Sequence, residues 1–365
     1  MSAYFIHPRI EVTELDKDAV NQFELGAELL ILVSATVRRA HNLDNIFNEW
    51  KKHRELDIYD HIKPDAPFTD LDFILQKRSK RPPDTIVAIG GGSVIDAAKA
   101  LSVAFGSEDY KDLFYGKADM PSQKVKVLAI PTTAGTGAEL SFGAILYDIE
   151  NKFKGGLRGP VIQPDYVLID ARLYNTAPFK LKAEVGFDCL THAVETYVSK
   201  KSNPLVKMQS VNCLRNIFNH LLKACEGSSL FDMERIAISS ALMGVNLAYS
   251  STCLPHRIQY VIGPLTGTSH AQGLIALYKG WIPFLAESQI EAFDQLARDL
   301  GTSAQGLQDK IAALKEQLSI SYSLRDLGID KEQLSGIAHS VTGNLSADPS
   351  YRGIESIEEI LKRAL

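Results

Sequence analysis

The sequence predicts an α/β, doubly wound parallel-sheet nucleotide-binding domain followed by an all-α domain. Two observations carry that prediction. Short uninterrupted apolar runs alternate with amphipathic stretches in the first half, and helical spacing replaces them after about Leu173. Residues 29–33 form the first run, rich in branched side chains and of strand length. A helical pattern follows over 37–53. A second run occupies 84–89, and a third 125–130. Runs that are apolar throughout indicate burial on both faces, as in a parallel sheet. Strand and helix in regular alternation describe a doubly wound domain. Beyond Leu173, the apolar positions of 183–198, 206–222, 236–248, 290–300, 304–318 and 355–365 recur at helical spacing. No strand-like run bounded by turn residues stands there. Pro178 interrupts the pattern after Tyr174, so the expected domains are 1–174 and 175–365. Two domains suit a chain of 365 residues.

Composition removes several classes of function. Lys and Arg number 39 against 44 Asp and Glu, a net charge of -5. That balance leaves no basic footprint for nucleic acid and no polybasic patch for a membrane surface. No apolar stretch reaches membrane-spanning length. The first residues lack a basic segment followed by an apolar run, so no signal peptide is expected. Four scattered cysteines do not make a disulfide framework or a thiolate zinc site. The expectation is a reduced, cytoplasmic enzyme acting on a small molecule.

Two loops have the chemistry of a nucleotide site. Gly90-Gly91-Gly92-Ser93 follows the second run directly, and a helical pattern starts at Val94. Glycines let backbone N–H groups approach a ligand closely, and a helix N-terminus offers unpaired donors. Ser93 is placed either to cap that helix or to donate to a phosphate oxygen. Asp96 and Lys99 share one face of its first turns. A tight strand-to-helix turn explains a lone glycine triplet equally well, and the motif is not G-x-G-x-x-G. The third run is followed by Pro131-Thr132-Thr133-Ala134-Gly135-Thr136-Gly137-Ala138-Glu139. Loops leaving parallel strands lie at the carboxyl edge, where such folds bind ligands.

The second half holds four candidate metal ligands. Asp188 and His192 are four apart in a helical segment, hence on one face. His256 follows Pro255, and His270 stands fourteen residues further on. Three imidazoles and one carboxylate suit Zn(II) or Fe(II). Spacing alone does not show that they converge. His7, His41, His53, His61, His220 and His339 read as ordinary surface or core histidines.

Together, residues 88–100, 131–139 and 186–195, with His256 and His270 at their fourteen-residue spacing, resemble the iron-containing (group III) alcohol dehydrogenase family. The resemblance implies the dehydroquinate synthase-like architecture and NAD(P)-linked hydride transfer between nicotinamide and an alcohol or carbonyl at a metal, Fe(II) or Zn(II). It implies Asp188, His192, His256 and His270 as metal ligands. It also implies Gly91, Gly92 and Ser93 as the diphosphate cradle with Asp96 and Lys99 beside it, and Thr132, Thr133 and Thr136 as nicotinamide and ribose contacts. A homodimer or larger homo-oligomer follows from the same source. Three departures stand out. Tyr260 occupies a position where many relatives carry a further His, so it either replaces that residue as a proton relay or lines the pocket. Ala35 stands near the usual ribose-binding Asp, and Arg38 or Arg39 is placed either to attract a 2′-phosphate or simply on a solvated helix face. Arg257, next to a ligand, is a candidate contact for an anionic substrate. A polyol or sugar-acid dehydrogenase of the same superfamily and an inactive homologue are the alternatives.

Overall fold

The three apolar runs are neighbouring strands at the centre of one sheet. The computed structural model describes residues 8–107 and 109–365. The chain divides into a unit ending at Ala177 and a unit spanning Pro178–Leu365. The first unit's strands are β1 (Arg9–Val12), β2 (Glu28–Val33), β3 (Glu55–Tyr59), β4 (Thr85–Gly90), β5 (Lys126–Pro131), β6 (Gly143–Asp148), β7 (Phe153–Arg158) and β8 (Tyr166–Ile169). Six of them form a parallel sheet in the order β1-β8-β5-β4-β2-β3, while β6 and β7 pair as an antiparallel hairpin. All six residues of β4 are buried. Each branched side chain removed from water there contributes roughly 1.5–3 kcal/mol.

Helices α1 (Ala35–Ala40), α2 (Leu43–Trp50), α3 (Phe68–Lys77), α4 (Gly92–Ala104) and α5 (Tyr110–Phe114) complete this unit. The single helix expected over 37–53 is two. Asn42 takes a left-handed conformation, φ 48°, and breaks the ladder between them. Because β4 and β5 pair with Gly90 opposite Pro131, the two loops that leave them are neighbours at the sheet's carboxyl edge.

The second unit is helical throughout. Its helices are α6 (Phe179–Val198), α7 (Pro204–Glu226), α8 (Leu230–Tyr249), α9 (Leu254–Thr266), α10 (His270–Glu287), α11 (Glu291–Asp299), α12 (Ala304–Gln317), α13 (Leu334–Ser340) and α14 (Ile354–Ala364). Pro178, with its fixed φ, precedes the first turn of α6. Ser269 caps α10 in a reciprocal box with Gln272, which fixes where His270 begins that helix. Among the described residues, no helix is long and apolar enough to cross a membrane.

Candidate functional site

In the first unit the two loops touch. A Cβ built on Gly91 would stand 3.0 Å from Thr133 Oγ1, and one on Gly92 would stand 3.0 Å from Thr136 Oγ1. A side chain at either glycine would press on a threonine hydroxyl of the other loop. The Thr132 N–H donates to Gly90 O at 3.0 Å and locks them together. Gly91, Gly92, Ser93, Thr133 and Thr136 are half-buried, whereas Thr132 is buried. Ser93 Oγ accepts the Asp65 N–H at 2.9 Å, so its oxygen ties down the loop after β3. Its own O–H is left to donate. Gly91 is the residue that precedes α4, and no side chain of that cap bonds the first N–H groups of the helix.

Asp96 and Lys99 do something other than stand beside a phosphate. Lys99 is wholly buried; its ammonium donates to Ala138 O at 2.8 Å, Ser141 O and Oγ at 3.0 Å, and Gly143 O. An ammonium enclosed by four acceptors has no proton to offer a ligand. Lys99 therefore fastens the end of the threonine loop to α4. Asp96 accepts the Ile145 N–H at 3.0 Å and lies 3.9 Å from Lys99. Burial pushes Asp96 up to about 6 and pulls Lys99 down to about 8. Glu139, buried in the same cluster, is pushed up to about 7 for the same reason. Arg38 is also otherwise engaged. Asp44 at 2.7 Å and Asp60 at 2.9 Å already neutralise it, so it is not the waiting partner of a 2′-phosphate.

In the second unit the four candidate ligands come from three helices. Asp188 and His192 lie one turn apart on α6; His256 is in the first turn of α9; His270 opens α10. Asp188 Oδ1 is 3.8 Å from the Nε2 atoms of His192 and His256, and 4.0 Å from that of His270. The Nε2 atoms of His192 and His256 are 3.0 Å apart. Ligand atoms of Asp188, His256 and His270 lie within 4.8 Å of one another. Bond lengths of about 2.1 Å around a tetrahedral cation put donor atoms about 3.4 Å apart, and Asp188, His256 and His270 form a group that could hold one cation. Facing imidazole nitrogens at 3.0 Å have lone pairs aimed at a common point when neither carries a proton. Burial pushes His256 well below the usual imidazole range, which favours its neutral ring.

Glu195 fixes the cluster from behind, and the sequence reading did not single it out. His256 Nδ1 and Glu195 Oε1 share a hydrogen bond of 2.8 Å that turns Nε2 toward the other three side chains, and burial pushes the Glu195 carboxyl up to about 8. The Cys253 N–H donates to Glu195 Oε2 at 2.7 Å, and the Tyr278 hydroxyl to Oε1 at 3.4 Å. A signal was present in the sequence: Asp188, His192 and Glu195 recur at i, i+4 and i+7, one helix face. On the other side, the Tyr260 ring stacks on His270, with centroids 6.2 Å apart and planes at 21°. The Arg257 guanidinium carbon lies 5.8 Å from the Tyr260 centroid.

A parallel-sheet unit with a loop pair of this kind and a helical unit with a cluster of three imidazoles and one carboxylate together suit a metal-dependent nicotinamide oxidoreductase. The comparisons say which. The profile of the iron-containing alcohol dehydrogenase family matches residues 12–171, and that of its Fe-containing C-terminal family matches 182–365. The chain belongs to the iron-containing alcohol dehydrogenases, NAD(P)-linked oxidoreductases acting on CH–OH. It is 27% identical to the lactaldehyde reductase of Escherichia coli K12 over 320 residues, covering 84% of each chain. It is also 27% identical to the NADPH-dependent butanol dehydrogenase of Clostridium saccharobutylicum, covering 84% of this chain and 81% of that one. Solved structures share the fold: the iron-containing alcohol dehydrogenase of Thermococcus thioreducens superposes with TM-score 0.89 at 23% identity over 99% of both chains. The sulfoacetaldehyde reductase of Bifidobacterium kashiwanohense, solved with NAD+, gives 0.90 at 20% identity, over 99% of this chain and 98% of that one.

Proposed function

We propose that Asp188, His192, His256 and His270 hold the catalytic cation, iron or zinc, and that the chain interconverts a small aldehyde and its alcohol with NAD or NADP. The observation that carries this reading is the approach of those four side chains to one another. When bound, the cation supplies Lewis acidity toward the substrate oxygen, and the nicotinamide gives or takes the hydride. The protein's own residues do the rest. Backbone N–H groups at Gly91, Gly92 and Ser93 receive the diphosphate, helped by the dipole of α4. Thr132, Thr133 and Thr136 orient the ribose and the carboxamide, and Lys99 and Asp96 hold their loop at the right height from beneath. Glu195 holds His256 by its Nδ1, which turns Nε2 toward the other ligands. Tyr260, its ring stacked on His270, is the candidate proton relay.

Buried thiols at all four cysteines support a reduced, cytoplasmic setting. A homodimer or larger assembly is supported by the edge strand β1, whose Ile10 and Val12 are exposed; light scattering on the purified chain measures it. The central test is nicotinamide absorbance at 340 nm with iron-loaded and zinc-loaded protein against a panel of aldehydes. Turnover that ignores added metal, or persists after its removal, would refute the assignment.

A further inference from the structure

We infer that the substrate carries an anionic group at the end opposite its carbonyl, a carboxylate, sulfonate or phosphonate, and that Arg257 receives it. This rests on the reading of the second unit as the oxidoreductase site and narrows it to a substrate class. The ligand cluster is closed on one side and open on the other. Side-chain exposure is 3% at Asp188, 6% at His192 and 3% at His256, but 27% at His270. The open side therefore lies at His270. Tyr260 stacks there, and the Arg257 guanidinium lies against Tyr260. Arg257 and Tyr260 are both half-buried, placed one turn apart on α9.

The charge of Arg257 is not taken up by a direct ion pair: the Glu195 carboxyl is near enough to feel that charge, but it makes no contact with the guanidinium. Its Nη2 donates to the neutral hydroxyls of Thr252 at 3.1 Å and Ser251 at 3.5 Å, and its Nε is buried without an acceptor. Among the described residues no carboxylate forms an ion pair with it. The two buried carboxylates at the start of α9 have other partners. Glu195 accepts from Cys253 and shares a hydrogen bond with His256. Asp348 accepts from Leu254, Trp281 and Ser350. A partly desolvated guanidinium with open donor positions gains most from a planar or tetrahedral oxyanion, which it grips by two parallel hydrogen bonds. A hydroxyl or methyl terminus in the same place leaves that charge unmatched, which is how a polar site rejects a neutral analogue.

The test compares loaded wild-type enzyme on 4-oxobutanoate and on butanal, with 2-oxoethylsulfonate and 2-oxoethylphosphonate as parallel arms that rank the three acid groups. At least one acid-ended aldehyde is expected to exceed butanal in kcat/KM by about tenfold or more, mainly through KM. Arg257→Gln should collapse that ratio toward one, and Arg257→Lys should keep part of it. Direct binding of methylphosphonate and propionate, followed by calorimetry on the loaded enzyme, should weaken in parallel. Equal rates on charged and neutral aldehydes by the wild type, or a ratio that survives Arg257→Gln, would overturn the inference while leaving the oxidoreductase reading intact. Failure to reduce any aldehyde would strike that reading instead, and the calorimetry would still decide whether Arg257 binds the anion. Should Arg257→Gln not fold, the wild-type ratio and Arg257→Lys decide.

Discussion

The two halves of the machinery are built from opposite materials. The loop pair of the first unit presents backbone to its ligand, and its charged groups, Asp96, Lys99 and Glu139, lie underneath as supports. The cluster of the second unit presents side chains, and its supporting carboxyl, Glu195, lies behind them. A diphosphate is bound by many weak N–H donors along a surface, so glycine and helix geometry suffice. A cation demands a few strong donors at fixed separations, so identity matters at each position. The contrast teaches that damage should separate cleanly: side-chain deletions should cripple the second unit, and side-chain additions the first.

The largest effect should come from Asp188→Asn or His256→Ala. Activity should fall on the order of 10³-fold or more, metal content by elemental analysis should drop, and cofactor binding by fluorescence should stay near that of the wild type. Loss of cofactor binding together with metal would break the comparison. Next, Gly91→Val or Gly92→Val places a branched side chain where a Cβ alone already meets a threonine oxygen at 3.0 Å. Cofactor KM should rise at least about tenfold, with metal content intact.

Lys99→Met sharpens the contrast, because it touches no ligand. It removes the four bonds that tie the threonine loop to α4 and leaves buried carbonyls unpaired, at about 1–3 kcal/mol each. Both the melting temperature and cofactor affinity should fall, and Lys99→Arg should not restore them in so closed a space. The smallest effect concerns Glu139. Its folded pKa, about 7, lies above its unfolded value of 4.5. Stability from this group is thus fully present below pH 4.5 and lost as pH rises through 7. Glu139→Gln, which mimics the neutral acid, should raise the melting temperature more at pH 8 than at pH 5. An equal change at both values would remove burial as the cause.

The legibility of the sequence followed burial. The strands that the apolar runs point to, β2, β4 and β5, are central and covered on both faces, so their composition declares them. Strands β1 and β3 sit at the sheet edges and carry Glu11, Glu55 and Asp57, which erases the apolar run. Hairpin β6–β7 includes Gly155 and Gly156, and β8 has only four residues. Asn42 divided a helix whose periodicity ran straight through it, since a left-handed residue leaves no trace in an apolar pattern. Arg38 and Lys99 looked available to phosphate because a sequence lists charges without their partners.

The sequence by itself determined which segments would be buried, where the glycine and threonine loops would leave their strands, and which residue types a cation would find. Those follow from local periodicity and from side-chain chemistry, which every short stretch of chain carries. Only the tertiary structure decided that residues as far apart as Asp188 and His270 approach within 4.0 Å, that Glu195 backs His256, and that Lys99 faces inward. Those outcomes depend on how helices and loops pack across long separations in the chain, where no local pattern reaches.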